Sequence, residues 1–142
     1  MPGKASFDYA VIRVVPRVER EEFVNVGVIL SCARHDFLEA RLHLDHARLA
    51  TLAPQLDVGV LEQHLAVIPV LCRGDATAGP IGRLTPRQRF HWLVAPRSTV
   101  IQTSAVHSGL CEEPAAALAR LMQTMVLPQH PDAADPAALG RS

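Results

Sequence analysis

The sequence has little of several features that would reveal a function. Its fourteen basic residues equal its fourteen acidic residues, so it lacks the long-range positive field that draws proteins to nucleic acid or to anionic membranes. Only six residues are aromatic, and we interpret Phe90 and Trp92 as core residues and not as a base-stacking platform. No apolar run is long enough to span a membrane, and the start of the chain lacks the apolar segment of a signal peptide. We therefore expect a cytoplasmic protein that binds neither nucleic acid nor membrane.

Cysteine is also scarce, and the length is modest. Three widely spaced cysteines, Cys32, Cys72 and Cys111, favour reduced thiols over a disulfide framework. A chain of 142 residues can close a single hydrophobic core. We predict one domain over residues 1–127. Residues 128–142 are short of large apolar side chains and rich in Pro, Ala and Asp, which predicts a disordered C-terminal tail.

Apolar runs predict the strands of this domain. Residues 7–15 and 23–31 are apolar and β-branched, and residues 37–44 alternate between apolar and polar side chains. The short links between these runs predict a three-stranded antiparallel meander, and residues 100–104 predict a fourth strand. Gly27 inside the second run indicates a bulge or the close approach of another group.

Capping residues predict the helices. Asp45 and Asp57 can each cap a helix, and Thr85 followed by Pro86 and by a glutamine at position 88 forms a capping box. We expect Pro69 to end or kink its helix, and a last helix over residues 114–126. The fold class is therefore α+β, an antiparallel sheet of about four strands with helices packed on one face.

Residues 89–109 concentrate guanidinium, hydroxyl, amide and imidazole groups in an otherwise apolar chain. Guanidinium groups hold phosphate or carboxylate in two-pronged fashion, and hydroxyls can complete the shell. An arginine and an amide in the first two strands can join them if their faces turn that way. The candidate anion-binding residues are Arg13, Asn25, Arg89, Arg97, Ser98, Thr99, Gln102 and His107. The same segment is also typical of an ordinary helix-to-strand turn, whose hydroxyls satisfy backbone groups.

Other chemistries find less support in the sequence. The ligand types at Cys32, His35, His43 and His46 would lie roughly 20 Å apart if the third strand is intact, at about 3.3 Å per residue, so we expect no metal site. Histidines and serines of residues 91–111 could form a nucleophilic site, but no nucleophile elbow or phosphate loop accompanies them. We interpret the charged link 17–22 as a solvated edge and not as catalytic acids.

Three segments resemble a known family. They are residues 9–16 (YAVIRVVP), residues 22–30 (EFVNVGVIL), and residues 89–93 (RFHWL) together with 95–102 (APRSTVIQ). They resemble the bacterial family called domain of unknown function 3037, over about residues 7–126. Members are small stand-alone proteins whose genes often lie beside a HipA-like serine/threonine kinase. The resemblance implies a kinase partner or a toxin–antitoxin style module, and it implies no catalytic residue.

The sequence thus favours a non-catalytic accessory or regulatory protein that binds a HipA-like kinase and an anionic ligand around Arg97, without a cofactor. The alternative is a phosphate-handling hydrolase or nucleotide-processing enzyme that uses Arg97 and His107. The binding protein and the enzyme differ in the geometry that they require. The enzyme must bring the side chains of Arg97 and His107 to one reacting group.

Overall fold

The computed structural model describes residues 3–17, 20, 22–97 and 99–128. This part of the chain forms an antiparallel sheet with helices, which confirms the α+β class. The strands are β1 (Ala5–Val14), β2 (Val24–Cys32), β3 (Phe37–Leu42), β4 (Ile101–Thr103) and β5 (His107–Cys111). The helices are α1 (His46–Leu52), α2 (Val58–Arg73), α3 (Pro86–Leu93) and α4 (Pro114–Met125).

Strand β1 is the centre of the sheet. Its one edge pairs with β2, which pairs with β3, so the predicted meander is confirmed. Its other edge is shared, because β5 pairs with the first half of β1 and β4 pairs with the second half. The sequence analysis did not predict β5, whose run His-Ser-Gly-Leu-Cys has no clean apolar alternation.

A bulge in β2 sets which way its side chains point. Ile12 is paired with Gly27 and Arg13 with Asn25, so Val26 is the extra residue. A Cβ atom on Gly27 would lie 2.5 Å from the carbonyl oxygen of Arg41, which explains the glycine by the close approach of β3. Because of the bulge, β2 supplies apolar residues to both faces of the sheet.

The sheet has a core on each face. The front face carries Ile12, Val14 and Ile29 against α1, α2 and α3, with Leu49, Leu65 and Phe90 fully buried between them. The back face carries Phe7, Val28 and Leu30 against Leu118 and Met122 of α4. Helices were expected on one face, which holds for α1 to α3, whereas the structure places α4 on the opposite face. Strands apolar on both sides are typical of such a three-layer arrangement.

The predicted caps are present. The side chains of Asp45 and Asp57 accept hydrogen bonds from the backbone of α1 and α2, and Thr85 and Gln88 form the capping box of α3. Pro69 does not end its helix: α2 continues to Arg73 and stops at Gly74, which has a φ of 68°.

Two expectations concern the chain as a whole. No helix among the described residues is both long enough and apolar enough to cross a bilayer. The predicted tail, 128–142, lies outside the described residues except for Pro128.

Candidate functional site

The predicted anion-binding residues do not surround one cavity. Those that the structure describes lie at four places, two on each side of the sheet, and Ser98 lies outside the described residues. Each place has its own contacts, which show what its side chains are already bound to.

Arg89 of α3 is buried on the front face, with 8% of its surface exposed. Its guanidinium donates hydrogen bonds to the carbonyl oxygens of Leu84 and Cys72, and thereby joins the end of α2 to the residues before α3. It lies against Gly74, where a Cβ atom would come within 3.0 Å of its Cζ and Nη1 atoms. The backbone at the end of α2 and the backbone just before α3 therefore fix Arg89 in place.

Arg97 follows α3 and bonds back to the end of that helix. It donates to the carbonyl oxygens of Leu93 (3.2 Å) and Trp92 (2.8 Å), and its guanidinium lies 4.5 Å from the centre of the Trp92 ring. Thr99 donates to the carbonyl oxygen of Ile101. Both residues thus make the local turn contacts that were the alternative interpretation of this segment.

Arg13, Asn25 and Gln102 form a row across β2, β1 and β4 on the back face. Asn25 donates to the carbonyl oxygen of Met125 at the end of α4, and the Arg13 guanidinium lies 4.1 Å from the centre of the Phe23 ring. Arg13 Nε and Asn25 Oδ1 are buried without a hydrogen-bond partner among the described residues. The structure brings these three residues together, but away from Arg89 and Arg97.

His107 lies at the start of β5, paired with Tyr9, and their rings are 5.5 Å apart. One residue further along, the Ser108 hydroxyl donates to Asp8 (2.6 Å), which also accepts from Arg87 (2.6 Å). The Ser108 hydrogen bond and the Arg87 guanidinium hold the pKa of Asp8 below its ordinary value, against the opposing effect of burial. The sequence analysis did not predict this cluster, because β5 was missed.

The thiols and the metal-ligand types give no reactive site in the described part of the chain. Cys32, Cys72 and Cys111 are free and buried, as the cysteine count predicted. Burial raises the pKa of the Cys72 thiol to about 12, so it stays protonated and is a poor nucleophile. No group of three or more His, Cys, Asp or Glu side chains is placed to hold a metal ion there.

A large cavity lies where the sequence indicated a solvated edge. We call it the hairpin groove, because the described residues between β1 and β2 form one wall and α1 with its following residues forms the other. Its volume is about 770 Å³, and its cations are Arg17, Arg20 and Arg48. Glu22 is the acid in its described lining, and it is paired with Arg20 at 2.8 Å. The remaining lining residues are Pro16, Phe23, Thr51, Leu52, Pro54 and Gln55.

Sequence reasoning missed this groove for a physical reason. Arg17 and Arg48 are far apart in the chain, and only the docking of α1 on the front face brings them to one cavity. Neither of the two side chains has an ion-pair partner among the described residues. Two guanidinium groups that lack an ion-pair partner among the described residues lie beside an aromatic ring, a hydroxyl and an amide. Together these groups can bind an anion.

A second cavity lies at the other end of the sheet. We call it the β3 groove, and its volume is about 710 Å³. Strand β3, the last turn of α2 and the first turn of α3 form its walls. Arg89 and Arg73 are its cations, and Asp36 and Glu39 are its acids.

The comparisons with known proteins agree with the resemblance in the sequence. Searches of curated proteins and of solved structures found no match. The model of the family described as protein of unknown function (DUF3037) matches residues 9–126, a stretch that includes β1 from Tyr9 onward and every later strand and helix. The chain belongs to the DUF3037 family.

Proposed function

We propose that this protein is an accessory or regulatory binding protein that recognises a phosphate-bearing ligand in the hairpin groove. The observation that carries this proposal is the convergence of Arg17, Arg20 and Arg48 on one cavity of about 770 Å³. One of the three is neutralised by Glu22, so the described lining keeps an excess of positive charge. The groove therefore replaces the surroundings of Arg97 as the anion site, because Arg97 lines neither this groove nor the β3 groove and is bonded to the end of α3.

The groove favours phosphate over a simple carboxylate. Several separated guanidinium groups can each bind a different oxygen of a phosphate or diphosphate. The exposed Phe23 ring adds an apolar wall, against which a carbon-containing part of the ligand can pack.

Titration calorimetry with inorganic pyrophosphate at low salt tests this proposal. We expect Arg48→Gln to weaken binding by about tenfold, the loss of one charge-assisted contact. Arg83→Gln is the matched control, because Arg83 is exposed and lies outside the lining of the hairpin groove. Equal affinities of the two variants, or no binding by the unmodified protein, would refute the proposal.

We further propose that the protein partner is a HipA-like serine/threonine kinase. The family resemblance supports this, and so does the edge of β4 and β5 that pairs with no described strand, where Leu110 of β5 and the flanking residues Val100 and Val106 expose large apolar side chains. An open strand edge with exposed apolar residues is a common site for pairing with another chain.

Co-expression with a HipA-like serine/threonine kinase and affinity purification test the proposed partner. Leu110, which is 62% exposed, is changed to Glu, and Val67, which is 50% exposed on α2, is changed to Glu as the control. We expect the unmodified protein and Val67→Glu to retain the kinase and Leu110→Glu to lose it. Recovery of two separate proteins from the unmodified pair would contradict the proposal.

The enzyme alternative finds no supporting geometry in the described residues. Arg97 binds the end of α3 on the front side, whereas His107 shares the ring contact with Tyr9 on β5. No described contact joins the two, so we do not propose it.

A further inference from the structure

We propose that the β3 groove is a second binding site, which takes a monocarboxylate with an apolar body. This site does not depend on the hairpin groove or on the kinase partner. Three observations support the proposal. Arg89 is a buried cation, the groove has an apolar lining beside it, and charged residues lie at the rim of the groove.

The first observation is a buried cation without a counter-ion. Arg89 is more than nine-tenths buried, and its Nε has no hydrogen-bond partner among the described residues. Arg89 forms no ion pair with a carboxylate of the described residues, although Asp36 and Glu39 line the same groove. Carbonyl groups alone compensate a buried guanidinium incompletely. An anion that reached it would therefore be bound strongly.

The second observation is that Arg89 lines an open groove and is not sealed in the core. The same cavity is lined by Phe37, Leu38, Pro69 and Pro86. These side chains offer apolar surface beside the guanidinium, and a volume of about 710 Å³ is within the usual size of a small-molecule site. The ligand therefore needs a carbon body as well as a charge.

The rim charges select the kind of anion. Arg73 adds a second cation, while Asp36 and Glu39 add two acids. Two nearby carboxylates repel a phosphate dianion more than a carboxylate with one charge. A planar carboxylate also fits the planar guanidinium in two-pronged fashion. The chemistry is therefore that of a monocarboxylate, supplied either by a free organic acid or by the C-terminus of a peptide.

Nitrogen-proton NMR of the unmodified protein observes Arg89 Nε–H directly. One arm titrates 4-phenylbutyrate and a second titrates the peptide N-acetyl-Ala-Ala-Phe with a free C-terminus. Each ligand has a neutral control, 4-phenylbutyramide or the peptide amide. A third arm titrates inorganic phosphate.

We expect at least one carboxylate to shift the Arg89 Nε–H signal in a saturable way below about 10 mM, and its amide to bind at least about tenfold more weakly. The carboxylate that binds more tightly identifies the source. Arg73→Gln, on the rim, should weaken that binding about threefold, as expected for a partly screened charge. A purely structural Arg89 would give no such shift. Absence of a saturable shift with both carboxylates, equal binding of the amides, or tighter binding of phosphate would overturn the proposal.

Discussion

The hairpin groove and the β3 groove lie at opposite ends of the sheet, and they use arginine differently. In the β3 groove, Arg89 is buried and its position is fixed by carbonyl groups of Leu84 and Cys72. In the hairpin groove, Arg17 and Arg48 are exposed, and neither has an ion-pair partner among the described residues. Arg89 therefore holds the fold together as well as lining its groove, whereas the side chains of Arg17 and Arg48 have no comparable structural contacts among the described residues.

The difference teaches that an arginine's surroundings, and not its place in a polar segment, decide its role. Removing a buried guanidinium leaves its acceptors without donors, which is costly. Removing an exposed one changes stability little, because solvent already compensates its charge.

Arg89→Ala should lower the free energy of unfolding by about 2–4 kcal/mol, since it leaves one buried and one part-buried carbonyl group without their donor and opens a cavity. Urea unfolding measures the loss. Arg83→Ala, an exposed arginine, serves as the control and should change stability by less than about 0.5 kcal/mol. If the two variants were equally stable, Arg89 would not join α2 to α3 in the way its contacts indicate.

Gly74→Ala should cost about 1–2 kcal/mol, because the residue has a φ of 68° and its new Cβ would lie 3.0 Å from the Arg89 guanidinium. Thermal unfolding of the single and double variants measures the coupling with Arg89→Ala. Since part of the cost is the contact with the guanidinium, we expect the two losses to be less than additive. Strict additivity would show that only the backbone conformation matters.

The affinity for pyrophosphate should fall about tenfold between low salt and 0.3 M salt, because exposed charges are screened over a few ångströms at that ionic strength. Calorimetry across a salt series measures this. The free energy of unfolding should change much less over the same series, since the charge of Arg89 is buried. A salt-independent affinity would argue against arginine as the binding group of the hairpin groove.

The surroundings of Arg87 are intermediate between those of the buried Arg89 and those of the exposed arginines of the hairpin groove. Its side chain is 45% exposed and paired to Asp8. The folded-state pKa of Asp8 is lower than its ordinary value of 3.8. The ionised carboxylate of Asp8 therefore stabilises the folded state fully at neutral pH. This stabilisation begins to be lost as the pH falls below about 4, and it is lost completely once the pH has passed the lowered pKa.

Asp8→Asn should accordingly cost about 0.5–1 kcal/mol at pH 7 and less at pH 2.5. Urea unfolding at the two pH values measures the difference, and Asp36→Asn, an exposed carboxylate with no ion pair among the described residues, is the control. The same loss at both pH values would mean that the charge of Asp8 is not what stabilises the pair.

Local patterns predicted much of the fold. The meander, the bulge at Gly27 and the caps at Asp45, Asp57 and Thr85 follow from apolar periodicity and from residue types with one dominant local role. Strand β5 was missed because its pairing with β1 depends on a distant partner and not on its own pattern. Pro69 was expected to end or kink α2, but the following residues continue as helix until Gly74.

The candidate site was less predictable than the fold. Arg13 and Asn25 were expected to join the cluster around Arg97 if their faces turned toward it, but the strand register pairs them with each other on the opposite face of the sheet. Arg89 and Arg97 are neighbours in sequence, yet one is bonded to the end of α2 and the other to the end of α3. The hairpin groove depends on how α1 docks against the β1–β2 connection. Such docking is a property of tertiary packing, and no local pattern encodes it.

Chemical-shift mapping of the full chain with inorganic pyrophosphate tests whether the hairpin groove is the phosphate-binding site. We expect saturable shifts at Arg17, Arg48 and Thr51 in the hairpin groove, and little change at Arg97 or at Arg89 Nε–H. Shifts centred on Arg97 or Arg89, with none at Arg48, would contradict it.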